Sequence, residues 1–340
     1  MRPTSIILLG FGNVGRAFFR LLLEKRQRLQ EGYGLDLELR AILTNRGGVV
    51  KEDLLREPGL AEVKREDLPR LTHWRPGLGL KDILENVEPG VAVECLSSNL
   101  QSGQPALGYV LAALIRGWQV VASSKGPLAV DLKGLRRAAR RAGVQFLFSA
   151  ATGAALPIAD VGLRSLAGSE VLALEGILNG TTNFILTRMG EGIAYERALA
   201  EAQQRGIAEP DPRNDVEGWD TAVKLLILVN LILDTDFTLA DVHREGIAGL
   251  SAARLAEVTG EAGKIKLLGR LETKSGTRLL SVAPTVLKPG HPLFAVDGTE
   301  KGITFFTDTM GRLTLIGGRS DPRGAAAALV KDLIALGPSR

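Results

Sequence analysis

Apolar residues fall along this chain in short blocks separated by glycine-rich and polar turns. Ser5–Leu9 is a continuous apolar run, the pattern of a strand buried on both faces, and Arg16–Gln30 behind it repeats with a helical period. Asp36–Leu43, Val91–Leu96, Gln119–Ala122 and Val144–Phe148 predict further strands, with helices at Tyr109–Arg116, ended by Gly117, and Leu132–Ala142. Strands alternating with helices predict a Rossmann-like, doubly wound parallel sheet over residues 1–150. The small-residue turn Ala150–Pro157 (AATGAALP) marks the crossing into a second domain at 151–318. There the pattern changes to α+β. It has a strand at Val171–Leu178, an apolar helix ending at Leu233, a helix at Ala252–Gly260 and strands at Gly263–Leu271 and Leu279–Leu287. Gly302–Phe306 and Arg312–Gly317 flank a Met310-Gly311 turn as a hairpin, and Ala325–Leu336 is a closing helix in a segment, 319–340, that rejoins the first domain. No repeat or low-complexity linker separates the two, which are expected to pack closely.

The turn after the first strand reads Gly10-Phe11-Gly12-Asn13-Val14-Gly15. This is G-x-G-x-x-G between a strand and a helix, the context in which it binds a dinucleotide. The glycines allow a tight turn and close backbone approach, and the helix N-terminus receives the pyrophosphate. A strand-ending acid would hold a ribose 2′-hydroxyl, but the second strand ends Thr44-Asn45-Arg46. Arg46 suits a 2′-phosphate, so NADP is the favoured cofactor and NAD the alternative; the competing reading is a solvated loop arginine. The loop opened by Ser97 and the segment Ser123-Ser124-Lys125-Gly126-Pro127 follow later strands. Lys125 thus stands at the carboxyl end of a parallel strand, where such sheets bind ligands.

Gly206–Asp220 carries five acids, Glu209, Asp211, Asp215, Glu217 and Asp220, ahead of an apolar run in which Lys224 is the one charge between Thr221 and Leu233. Asn214-x-x-Glu217 is a capping-box pattern that predicts a helix start near Asp215. Asp220 and Lys224 are then one turn apart and able to pair. A lysine in so apolar a helix must snorkel, pair or lose basicity through desolvation; an ordinary surface pair is the bland alternative.

Composition narrows the class. Forty-two Lys and Arg against thirty-eight Asp and Glu are interspersed, so no nucleic-acid or membrane patch is indicated. One cysteine, Cys95, excludes an intrachain disulfide framework and fits the cytoplasm. No apolar stretch reaches the length of a membrane span.

GILNGTTNFILTRM (176–189) and GIAEPDPRNDVEGWDTAVKLLIL (206–228), with SSKGPLA (123–129) and GFGNVG (10–15), resemble homoserine dehydrogenase. The resemblance implies interconversion of L-homoserine and L-aspartate 4-semialdehyde with NAD(P). It puts Glu209, Asp215 and Asp220 at the substrate, Lys224 and Lys125 near the reacting oxygen, and Gly180 and Thr181 where substrate and nicotinamide meet. It also implies a homodimer built through the second domain, and the short form, without a C-terminal regulatory domain. In that family the turn at 149–157 carries a glutamate and often a monovalent cation, a place that corresponds to Thr152 and Ala154 here, and no metal is assigned to it. Ser149 replaces the glutamate, Ala154 and Ala155 replace glycines, and the glycine-rich segment before the last helix is altered at Gly317–Arg323.

The chemistry requires a group that takes the hydroxyl proton. The three histidines, His73, His243 and His291, sit in no pocket motif, and no metal-binding motif such as H-E-x-x-H appears. Lysine remains, with Lys224 as the main acid/base and Lys125, brought near it across the domain cleft, as its assistant. A non-catalytic cofactor-binding sensor on the same fold and a dehydrogenase for another small amino acid are the alternatives.

Overall fold

The computed structural model describes residues 3–57, 59–250, 254–255, 257–258, 262–318 and 321–337. The helix expected at Ala252–Gly260 lies largely outside these residues. The chain divides into two compact units, Met1–Ala154 with Asp321–Arg340, and Ala155–Ser320.

The first unit is built on seven strands: β1 (Thr4–Leu9), β2 (Leu37–Thr44), β3 (Gly47–Val50), β4 (Trp74–Pro76), β5 (Val91–Glu94), β6 (Gln119–Ala122) and β7 (Phe146–Leu147). They lie in the order β4-β3-β2-β1-β5-β6-β7. Five, from β2 through β7, run parallel, while β3 and β4 turn back antiparallel at one edge. The parallel core is the one the apolar runs predict. The antiparallel edge was not predicted, because Gly47–Val50 and Trp74–Pro76 are too short to show a period. Helices α1 (Asn13–Tyr33), α2 (Leu80–Asn86), α3 (Ala106–Ile115), α4 (Gly126–Ala142) and the short α5 (Ser149–Thr152) connect the strands. Ile6, Leu8, Phe18, Leu22, Leu39 and Ile42 are fully or almost fully buried in one core with Leu329 and Leu333 of the last helix. That last helix, α11 (Pro322–Leu336), starts at an Asp321 cap whose carboxylate accepts from the Gly324 amide at 2.6 Å, and it packs on α1.

The second unit carries six strands, β8 (Val171–Ile177), β9 (Val242–Arg244), β10 (Lys264–Lys274), β11 (Thr277–Leu287), β12 (Lys301–Thr307) and β13 (Arg312–Gly317), ordered β13-β12-β8-β10-β11-β9. All neighbouring pairs are antiparallel except β11 with β9. After the short α6 (Ile158–Asp160), four of its helices bear on the site: α7 (Gly180–Gly190), α8 (Tyr195–Gln204), α9 (Arg213–Val216) and α10 (Trp219–Leu233). From Leu225 to Leu231 every residue of α10 is buried. Each such aliphatic side chain contributes about 1.5–3 kcal/mol relative to exposure, enough to hold the polar first turn of α10 in place. A Cβ added to Gly269 of β10 would meet the Thr221 methyl at 3.2 Å, so helix and sheet approach closely there.

The helix predicted from Asp215 is two pieces. Arg213–Val216 makes one turn, and Gly218, with φ at 83°, breaks it before α10 begins at Trp219. Only glycine adopts that conformation without a steric cost; Asn214 lies inside the short turn and Glu217 closes it, so the pair caps neither that turn nor the long helix.

Candidate active site

A polar cluster of the second unit forms where β8 runs into α7. Asn179 caps α7, its Oδ1 accepting from the Thr182 amide at 2.8 Å. Its amide nitrogen faces the other way and donates to two carboxylates, Asp215 Oδ1 at 2.6 Å and Asp220 Oδ2 at 2.8 Å. Lys224 Nζ donates to the same Asp220 oxygen at 2.6 Å and to the Leu178 carbonyl at 2.9 Å. Of the three fates open to a lysine in an apolar helix, this one is pairing. The Thr181 hydroxyl, buried at the start of α7, donates to Ile207 O at 3.0 Å. One strand end thus gathers Asn179, Gly180, Thr181, Asp215, Asp220 and Lys224. Burial, and next to it the charge of Asp220, pushes the Asp215 carboxyl above its ordinary range. Two carboxylates so close resist joint ionisation unless a cation shares the site, which is the environment a substrate ammonium fits.

Glu209 lies exposed between α8 and α9, and its backbone carbonyl accepts from Gln203 Nε2 at 3.2 Å. The hydrogen bonds of the cluster do not include its side chain. In sequence Asn179 opens a polar turn, Asn179–Asn183, whose donors suit a carboxylate or a nicotinamide amide. Its bridging of Asp215 and Asp220 depends on positions 36 and 41 residues away that no local pattern shows.

In the first unit the glycine loop has the geometry of a pyrophosphate cradle. Gly10 takes φ 103°, and a Cβ on it would strike Cys95 O at 2.5 Å; a Cβ on Gly15 would strike Gly10 O at 2.2 Å. A Cβ on Gly12 would meet nothing within 4 Å, so the open side of the loop lies there. Gly12 is the N-cap of α1, and no side chain caps the helix. The leading amides of a 21-residue helix thus face that opening, and they suit an anion through their donors and the helix dipole. These residues fit a dinucleotide. Arg46 is exposed in the turn between β2 and β3, where the Thr44 hydroxyl donates to Gly47 O at 3.0 Å. Arg65 is tied beside it through Asn45 Oδ1 at 2.7 Å.

Ser97 is exposed in the loop after β5, and Lys125 is half-buried at the start of α4. The Ser124 hydroxyl turns inward to Glu94 Oε2 at 2.6 Å. Glu94, wholly buried at the carboxyl end of β5, was missed by sequence reading because it was absorbed into the apolar run Val91–Leu96. A lone acid closing an apolar parallel strand was the available signal.

The turn at 149–157 holds no glutamate, yet a carboxylate reaches it. Asp332 of α11, wholly buried, accepts from the Ser149 amide at 2.9 Å and the Ser149 hydroxyl at 2.8 Å. Lys331 Nζ lies 2.7 Å from Ser149 Oγ and 2.6 Å from Asp332 Oδ1. Thr152 donates back to Ser149 O at 3.1 Å, and Ala154 takes φ 52°. A side-chain ammonium therefore already serves the Asp332 carboxylate at this turn, and a metal ion there would meet its charge. Among the described residues no group of three or more His, Cys, Asp or Glu is placed to hold a metal, and no helix is long and apolar enough to cross a membrane.

Comparison with known proteins agrees with this layout. The family profile "Homoserine dehydrogenase" matches residues 157–334, and "Homoserine dehydrogenase, NAD binding domain" matches residues 10–149. The chain is 36% identical over 333 residues to a homoserine dehydrogenase of Methanocaldococcus jannaschii, covering 97% of each. It is 30% identical over 342 residues to an NAD(+)-dependent homoserine dehydrogenase of Pseudomonas canavaninivorans, covering 98% of this chain and 96% of that one. Its fold superposes with a TM-score of 0.83, at 27% identity and 98% coverage of both chains, on a hyperthermophilic archaeal homoserine dehydrogenase mutant in complex with NADPH.

Proposed function

This chain belongs to the homoserine dehydrogenase family, and we propose that Lys224 is the residue through which it exchanges a proton with the reacting oxygen. The reaction is the NAD(P)-dependent interconversion of L-homoserine and L-aspartate 4-semialdehyde in aspartate-derived amino-acid biosynthesis. The nicotinamide, when bound, supplies the hydride acceptor or donor. The protein must then bind and orient the amino acid and handle one proton.

The observation that carries the reading is the fixed position of Lys224 between Asp220 and the end of β8. An ammonium has three donors. Two go to Asp220 Oδ2 and Leu178 O, and we assign the third to the substrate oxygen. Asp215, Asp220 and Glu209 are assigned to the substrate's ammonium and hydroxyl ends through charge-assisted hydrogen bonds, with Gly180 and Thr181 lining the place where substrate meets nicotinamide. Lys125 is assigned as the assisting cation. The amides of Gly12, Asn13, Val14 and Gly15 are assigned to the pyrophosphate.

NADP is the preferred cofactor in this reading. Arg46 and Arg65 adjoin the β2–β3 turn, and Thr44–Gly47 contains no acid to receive a 2′-hydroxyl. A second copy of this chain is the proposed partner of the β8–β13 sheet. Leu172, Leu279, Leu313 and Ile316 stand exposed on its strands. The one cysteine, Cys95, is a buried thiol that burial pushes to a higher pKa, consistent with a reducing cytosol.

The test is the absorbance of reduced nicotinamide when purified protein meets L-homoserine with NADP or NAD. Reduction is expected with both and faster with NADP. Faster reduction of NAD overturns the role given to Arg46 and Arg65, and silence from folded protein that binds cofactor overturns the assignment of the cluster.

A further inference from the structure

Glu94 is a buried carboxylate at the end of the parallel sheet that binds the cofactor, and no step of the reaction described above uses it. Leu9 of β1 and Ala122 of β6 lie beside it in register, at the ends of the neighbouring strands. Its contacts run to the two loops that leave this edge. Oε1 accepts from the Leu96 amide at 2.6 Å, which fixes the loop that opens toward Ser97. Oε2 accepts from the Ser124 hydroxyl at 2.6 Å and the Ser124 amide at 3.2 Å, and the Glu94 carbonyl accepts from the Ser123 amide and hydroxyl at 2.9 and 3.1 Å. The residue after Ser124 is Lys125, whose own amide donates to Ser98 Oγ at 2.8 Å. Behind it Gly126 sits so close to Asn99 that a Cβ would meet Asn99 O at 2.4 Å. The next residue on β5, Cys95, is the one against which Gly10 of the glycine loop closes.

We infer that Glu94 is the positioning residue for Lys125: one carboxylate sets the loop after β5 and the loop after β6 against each other, and thereby fixes where the Lys125 ammonium stands. This rests on the reading in which Lys125 assists the reaction. The chemistry of the contacts argues for the role. Every side-chain partner named is an N–H or O–H that donates, so a carboxylate, which only accepts, satisfies them all. An acid taken wholly out of water is costly to keep, and a structural strand end could be closed by valine or threonine. Glutamine has the same shape but would turn its NH₂ toward the Leu96 or Ser124 donors, so E94Q separates charge and acceptor count from volume.

A double-variant cycle tests the inference with holoenzyme and L-homoserine: wild type, E94Q, K125M and E94Q/K125M. E94Q is expected to lower kcat by about 10–100-fold, the scale on which a displacement of ~1 Å acts, with little change in KM for homoserine. E94D, which keeps the acceptors on a shorter arm, is expected to recover part of the loss. If Glu94 acts through Lys125, the double variant is no slower than K125M alone. Losses that multiply overturn the inference while leaving Lys125 its role. A K125M variant with wild-type kcat overturns the lysine reading itself and the inference with it. Because E94Q could act by unfolding, melting temperature and cofactor dissociation constant are measured for each variant. S98A, which removes only the contact to the Lys125 amide, is expected to shift kcat in the same direction with the fold intact. Wild-type kcat in E94Q, or wild-type kcat in S98A with a severely unstable E94Q, overturns the positioning role.

Discussion

Lys224 Nζ stands 2.6 Å from Asp220 Oδ2, one helical turn earlier on α10, and 2.9 Å from the carbonyl oxygen of Leu178 at the end of β8. The ammonium is therefore tied to a helix and a strand at once. Replacing Lys224 with methionine keeps the stem among the apolar neighbours and removes only the charge and its protons. Turnover is expected to fall by about 10²–10⁴, the usual worth of a positioned acid or base, with cofactor dissociation constant unchanged. Steady-state kinetics and a cofactor titration check this together. Near-wild-type turnover sinks the assignment, and lost cofactor binding would mean that the change had spread beyond the site.

Asp215 predicts a trade between stability and function. Burial and the neighbouring Asp220 raise its pKa in the folded protein. From the ordinary carboxylate pKa up to this raised one, the folded state holds more protons than the unfolded state, so stability falls as pH rises through that window. D215N removes the penalty. The variant should melt higher than wild type at about pH 8, with the gain vanishing once the medium is acidic enough to protonate Asp215 in both states. Its kcat/KM for homoserine should nevertheless fall if the substrate ammonium binds where it is assigned, because it then loses a charged partner. A melting difference that ignores pH would show that Asp215 carries no such strain.

Legibility of this chain from sequence followed how local each signal is. The glycine loop and the apolar strands are complete within about six residues, and both appear where the pattern put them. The Asp220–Lys224 pair was readable because helical periodicity alone brings the two together. The start of α10 was misread because Asn214 falls inside the short turn Arg213–Val216 instead of capping a helix, and Gly218 ends that turn before α10 begins. Asn179 with Asp215, Glu94 with Ser124, and Ser149 with Asp332 were out of reach: their separations are 36, 30 and 183 residues. Each is a polar group whose partner is chosen by the fold and not by its neighbours in sequence.

The glycine loop separates binding from folding. G15A would drive a Cβ to 2.2 Å from Gly10 O, so the loop must move and the fold should lose stability along with cofactor affinity. G12A is different. Gly12 has φ −79° and open space around its Cβ direction, so alanine costs the free protein little. The methyl would instead occupy room assigned to the pyrophosphate. Thermal melts without cofactor should place G12A beside wild type and G15A well below it, while a cofactor titration should find both weakened. Wild-type affinity in G12A would move the pyrophosphate away from this opening.

The contact of Ser149 with Asp332 bears on monovalent cations. Lys331, Ser149 and Asp332 form a closed chain in which an ammonium donates to a hydroxyl and to a carboxylate, and the hydroxyl donates to that carboxylate. A sodium or potassium ion seated at this turn would stand beside the ammonium, and like charges a few ångströms apart in a partly buried place repel by several kcal/mol at an effective dielectric of about 20. The enzyme is therefore expected to run at the same rate, and to bind its cofactor equally well, when sodium or potassium is exchanged for choline at constant ionic strength. K331M should lower the melting temperature by leaving buried Asp332 without its cation. That variant, its ammonium gone, is where sodium should begin to stabilise. A saturable activation of the wild-type enzyme by sodium would show that the turn accepts a metal ion with Lys331 in place. The ammonium would then have to swing out to solvent along its half-exposed stem.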